Sequence, residues 1–126
     1  MQPGDTYTLT RVLAQSDFNR FAALSGDDNP IHVDPEFSAR TRFGRTVAHG
    51  MFLYSLVCGA LAQYFPHAIS LRQDLMFPHP SYVGEAVTIS LRVVEVDGRA
   101  GRARLETIVT RPTGEIGLQG EMVVSL

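Results

Sequence analysis

Between Met51 and Phe65 the chain carries an apolar stretch broken only by Ser55, Gly59 and Gln63, and Pro66 closes it. At helical spacing its apolar residues cover nearly every face, and a helix that is apolar all round has to be buried. The stretch is shorter than the roughly 20 residues a bilayer span needs. It therefore reads as a buried helix, and the rest of the chain must supply a layer that covers it.

The C-terminal half has the right period for that layer. Val87, Ile89, Leu91 and Val93 alternate with Thr88, Ser90 and Arg92, the pattern of a half-buried strand. The phase slips at Val94-Glu95-Val96, which predicts a bulge. Asp97-Gly98 is a hairpin signal. Ala103, Leu105, Thr107 and Val109 alternate next, Pro112-Thr113-Gly114 marks a turn, and Ile116, Leu118, Met122, Val124 and Leu126 are expected on one face of a last strand. Leu71–Phe77 and Thr6–Val12 are further strand candidates. A meander with one polar face and one buried helix gives an α+β fold, an antiparallel sheet wrapped around a long central helix. The 126 residues, 1–126, suit a single domain.

Upstream, Ser16 is expected to cap a helix over about 17–25, with Asp17 in its first turn and Gly26 as its stop. Asp27 to Pro35 is dense in Asp, Asn and Pro and should be irregular. Asp34-Pro35 then starts a brief helix.

Composition narrows the function classes. The net charge is −2 and the basic residues are scattered singly, which disfavours nucleic acid as a partner. The single cysteine, Cys58, allows no internal disulfide, so a reducing compartment is the default. The N-terminus lacks a charged region followed by an apolar one, so no signal peptide is expected and the reading is cytoplasmic, without membrane partners.

Chemistry concentrates in Gly26-Asp27-Asp28-Asn29-Pro30-Ile31-His32. Asp27 and His32 flank Asn29-Pro30, and a turn there can bring both side chains to one place. A carboxylate and an imidazole that share a water divide the proton work of adding it to a double bond. If that bond is conjugated to a carbonyl, a donor must meet the developing oxyanion. Gly50 begins the apolar helix, so its N–H has no intrahelical acceptor. Asn29 would hold the turn. The plainer readings are that Asp27 and Asn29 only cap or turn, that His49 before Gly50 is a structural or capping residue, and that the same holds for His67 and His79, beside prolines in loops. His32, Asp34 and His49 match no closed zinc spacing, so no metal is expected. Cys58 reads as a small hydrophobe in the helix. Arg42 and Arg45 flank Phe43-Gly44 and could meet phosphates.

Phe21-Ala22-Ala23-Leu24-Ser25-Gly26-Asp27-Asp28-Asn29-Pro30-Ile31-His32-Val33-Asp34 resembles the signature of the MaoC-like (R)-specific enoyl-CoA hydratases. Phe43-Gly44-Arg45-Thr46-Val47-Ala48-His49-Gly50-Met51 looks like the family's second block, in the right order. The resemblance is close from about Asp17 to Phe65 and continues beyond as strand pattern and length. It implies a hot-dog fold, a homodimer or dimer of dimers, and reversible hydration of trans-2-enoyl-CoA to (R)-3-hydroxyacyl-CoA. No metal or redox cofactor is implied, since the substrate carries coenzyme A; the carrier could equally be acyl carrier protein. Carried over by position, Asp27 and His32 are the catalytic pair, with Asp27 chosen over Asp28, and Gly50 is the donor to the thioester carbonyl; Arg42 and Arg45, read from the residues alone, could then meet the phosphates of coenzyme A. Some members carry a Ser in the central helix where this chain has Cys58; a thiol is the weaker donor, and Ser55, one turn away, could substitute. A hot-dog acyl-CoA thioesterase and a non-catalytic acyl-CoA-binding subunit remain open beside the hydratase.

Overall fold

The computed structural model describes residues 1–126. A first strand, β1 (Thr6–Val12), leads into helix α1 (Gln15–Ser25), two short helices α2 (Pro30–Val33) and α3 (Pro35–Ala39), and the long helix α4 (Gly50–Tyr64). Strands β2 (Ile69–Gln73), β3 (Ala86–Asp97), β4 (Arg102–Thr110) and β5 (Ile116–Ser125) follow. The strands form one antiparallel sheet in the order β1-β3-β4-β5-β2, with the β3-β4-β5 meander at its centre. This is the α+β, hot-dog architecture, with α4 lying across the concave face.

The alternating residues face α4. Val87, Ile89, Leu91, Val93, Ala103, Leu105, Val109, Leu118, Met122 and Val124 are buried against Phe52, Leu53, Val57, Ala60 and Leu61 of the helix. Full burial of each large aliphatic side chain is worth about 1.5–3 kcal/mol, so this layer dominates stability. The bulge falls between Val93 and Glu95, where the phase slips. No helix is long and apolar enough to cross a membrane.

Four local expectations need correction. Helix α1 begins two residues early, with Ala14 rather than Ser16 as its cap, because the Asp17 carboxylate reaches back to the Ala14 N–H at 3.1 Å and also binds Arg11 at 2.7 Å. The stretch Asp27 to Pro35 is not wholly irregular: Pro30 sets the first turn of α2, and the Asn29 side chain accepts from the Ile31 N–H at 3.2 Å. Leu126 lies beyond β5 and is 54% exposed. Finally, α4 is not enclosed on every side. Met51, Ser55, Gly59 and Ala62 form an exposed stripe, because a single sheet covers only one side of a helix. The exposed Ile69 and Leu71 of the edge strand β2, with Met76 and Phe77 beyond it, make a second uncovered apolar surface.

A buried charge cluster anchors the loop before β3. Arg111 binds both Glu85 oxygens, at 3.1 and 2.9 Å, and each residue is 8% exposed. Glu85 also accepts from the Tyr82 N–H at 2.8 Å, and the Tyr82 ring lies near the guanidinium groups of both Arg45 and Arg111, at 4.4 and 5.2 Å. Burial alone pushes the Glu85 carboxyl up. The bonds from Arg111 and the Tyr82 N–H, with the charges of Arg111 and Arg45, together outweigh burial and hold it below the usual range. Removing Glu85 leaves the buried Arg111 only the partly exposed Glu115 as a partner, at 2.5 Å, and breaking a buried pair of this kind costs about 3 kcal/mol. Glu85→Gln should lose that much in urea denaturation, and adding Arg111→Met should recover most of it. A loss below about 0.5 kcal/mol, the range of ordinary surface substitutions, would show that the clamp contributes little.

Candidate active site

The site lies at the N-terminal end of α4. Gly26, with φ 82°, ends α1 in the left-handed region and turns the chain back, as glycine does at little cost. The Asp27 N–H then bonds Ser25 Oγ at 3.1 Å, and α2 carries His32 inward. Asp27 and His32 therefore border one cavity of about 340 Å³, together with Gly50, Met51, Leu53 and Phe77. Asp28 does not line it; it borders a shallow surface hollow with Asn19, Ala23 and Val33.

His32 is 9% exposed and its Nδ1 lies 2.8 Å from the Val47 carbonyl oxygen. A carbonyl only accepts, so Nδ1 carries the proton in neutral His32 and Nε2 presents a lone pair. That Nε2 lies 3.9 Å from Asp27 Oδ2. The gap is too long for a direct hydrogen bond and matches two groups that meet through a third. The Asp27 side chain is 56% exposed, so the pair spans the boundary between interior and solvent.

His49 was read from the sequence as a structural or capping residue. Its side chain caps nothing on α4. It is instead a buried wedge: its ring stacks on His32 with centroids 3.8 Å apart and 22° between planes, and its Nε2–H donates to the Asp27 carbonyl at 2.8 Å. Phe21 meets its ring edge at 4.9 Å. One histidine thus braces both members of the pair. Burial pushes the His49 imidazole down; the bond to Asp27 works against this, and the proximity of His32 adds to it.

Donor atoms of Asp27, His32 and His49 lie within 4.8 Å of one another. Two near-parallel stacked rings direct their in-plane lone pairs along separate planes, however, a poor geometry for sharing one cation. The arrangement fits proton chemistry better than a cation. Asp34 is elsewhere, capping α3 through the Phe37 N–H at 3.1 Å.

The Gly50 and Met51 N–H groups have no acceptor within the chain, as the start of a helix dictates. A Cβ at Gly50 would lie 2.9 Å from the Phe77 ring, so glycine is what lets that ring close over the helix end. Ser55 and Cys58 are not at this site. They lie further along α4, at 1.5 Å of rise per residue, and do not border the cavity. Ser55 Oγ donates to the Phe52 carbonyl of its own helix at 2.5 Å and borders a groove toward β1, while Cys58 sits beside the Tyr54 hydroxyl. Arg42 lies over Phe43 at 4.9 Å and Arg45 reaches Glu85 at 3.7 Å; neither borders the cavity. His79, read as a loop residue, does border it and pairs with Glu115 at 3.3 Å.

Residues 2–114 match the family model described as a MaoC-like domain. An (R)-specific enoyl-CoA hydratase from Aeromonas caviae is 38% identical, the match covering 100% of this chain and 96% of that protein. A 3-hydroxybutyryl-CoA dehydratase from Methylorubrum extorquens is 35% identical, over 100% of this chain and 81% of its own length. The solved (R)-hydratase from A. caviae superposes with a TM-score of 0.96 at 38% identity, covering 100% of this chain and 97% of that one.

Because the folded imidazole of His49 holds its proton less tightly than the unfolded one, stability should fall as pH drops below 6.5, where only the unfolded chain takes up the proton. Urea midpoints at pH 7.5 and 5.5 measure this. His49→Gln keeps a donor for Asp27 and should flatten the slope; an unchanged slope would remove His49 as its source.

Proposed function

The chain belongs to the MaoC-like domain family, and from that premise we propose that it is an (R)-specific enoyl-CoA hydratase, a lyase that adds water reversibly to trans-2-enoyl-CoA. What carries the reading is the placement of Asp27 Oδ2 and His32 Nε2, 3.9 Å apart and facing one cavity, beside a helix end whose Gly50 N–H has no acceptor in the chain. The Aeromonas and Methylorubrum relatives, named for this hydration and its reverse, support it.

The chemistry follows from the tautomer. A water between the pair donates one hydrogen to Asp27, which aims it, and the other to His32 Nε2. As its oxygen bonds C3, His32 Nε2 takes the second proton. The C2–C3 π electrons move to the thioester oxygen, where the Gly50 N–H meets the charge. The enolate collapses, and the proton on Nε2 passes to C2. One hydroxyl and one hydrogen have been added, and both side chains return to their starting state. Asn29 shapes the turn between the pair. In this reading Ser55 and Cys58 take no part, and Arg42 and Arg45 remain the candidates for the phosphates of coenzyme A.

Assembly fits the same reading. The exposed Ile69 and Leu71 on the edge strand, and the open stripe on α4, are surfaces that a second copy would cover.

The direct test is loss of the conjugated-thioester absorbance of crotonyl-CoA. Asp27→Asn and His32→Gln should each lower kcat about a hundredfold to ten-thousandfold with the fold intact. Wild-type rates in either variant would refute the assigned roles. Release of free thiol from saturated acyl-CoA, without hydration, would favour the thioesterase.

A further inference from the structure

Helix α2 ends at Val33 because Pro35 follows, and a proline has no N–H to donate. No backbone N–H in the chain reaches the His32 carbonyl. The group that does so comes from 17 residues upstream: Gln15, the first residue of α1, donates Nε2–H to the His32 oxygen at 2.8 Å. Its second Nε2 hydrogen goes to Asn19 Oδ1 at 3.1 Å, which fixes which end of the amide faces His32. Its Oε1 accepts the hydroxyl proton of Thr46 at 2.6 Å, and Thr46 is 1% exposed.

These contacts converge on one short segment. Val47, next to Thr46, donates its N–H to Ile31 at 2.9 Å and offers its carbonyl to His32 Nδ1 at 2.8 Å. Gln15 therefore ties the backbone of His32 to the residue preceding its imidazole's acceptor. Without that tie the His32 carbonyl is left unpaired and the two segments are free to separate, which loosens the ring the reaction depends on.

We infer that Gln15, with Thr46 as its partner, is a positioning residue for the reaction: it holds His32 against the Val47 carbonyl and so keeps Nε2 turned toward Asp27. The brace itself stands on the hydrogen bonds; its catalytic consequence rests on the hydratase reading. Gln15 touches neither the cavity nor the reacting atoms.

Gln15→Met keeps the shape and removes both ends of the brace; Thr46→Val removes one end. With crotonyl-CoA, Gln15→Met should lower kcat about tenfold with KM within twofold, since positioning is lost and binding is not. The double variant should be no worse than Gln15→Met alone, because both act through one contact. An activity-independent measurement accompanies this: in Gln15→Met, exchange of the Val47 amide hydrogen should quicken about tenfold more than that of the core Leu105 amide, which follows any loss of global stability. An unchanged kcat, a loss confined to KM, or additive losses would overturn the positioning role. A Val47 exchange rate that quickens no more than that of Leu105 would overturn the brace, whatever the chain catalyses. Wild-type protein that hydrates no enoyl thioester, with the exchange effect present, would leave the brace standing and remove the hydratase reading instead.

Discussion

The hydrogen bond from His32 Nδ1 to the Val47 carbonyl fixes both the orientation of the imidazole and the position of its proton. Much of the surrounding structure serves to hold that carbonyl still. On one side, residues 46–48 are tied to α2 by the Val47 N–H and by Gln15. On the other, they are tied to residues 81–83: Ala48 donates to Ser81 at 2.8 Å, and Val83 donates to Thr46 at 3.1 Å. That second segment is in turn fixed by Tyr82 and the Glu85–Arg111 pair. A buried ion pair is weak evidence for net stability. Its position at the base of this chain of contacts gives it a second role, since it sets the loop on which residues 46–48 rest.

The fold was legible because its signals are local or periodic. The apolar stretch from Met51 and the alternation through β3, β4 and β5 need no tertiary knowledge to read. The choice of Asp27 over Asp28 came from the resemblance, and the structure gives it a physical counterpart: consecutive residues after Gly26 point to opposite sides of the turn, one to the cavity and one to a surface hollow. Pro30, the first residue of the short α2, and Pro35, two residues past its end, confine His32 to that turn.

What was not legible depends on contacts between distant residues. Gln15 and Thr46 are 31 positions apart, and neither residue type is unusual where it stands. His49 looked like a cap because it precedes a helix, yet its role comes from stacking on a residue 17 positions upstream. Ser55 and Cys58 illustrate the reverse error. They share a helix with Gly50, but sequence proximity along a helix is axial distance in space, and it carries both away from the cavity. The exposed stripe on α4 marks a further limit, since an all-apolar helix reports that it is covered but not by how many chains.

The central claim is that His32 enters the reaction with its proton on Nδ1 and a free lone pair on Nε2. Nitrogen-15 NMR of the imidazole in the free protein at neutral pH measures this directly. The account requires a protonated, pyrrole-type Nδ1 and an unprotonated, pyridine-type Nε2. The opposite tautomer, or a rapidly averaged mixture of the two, would contradict it, because Nε2 could not then take a proton from water and return it to carbon.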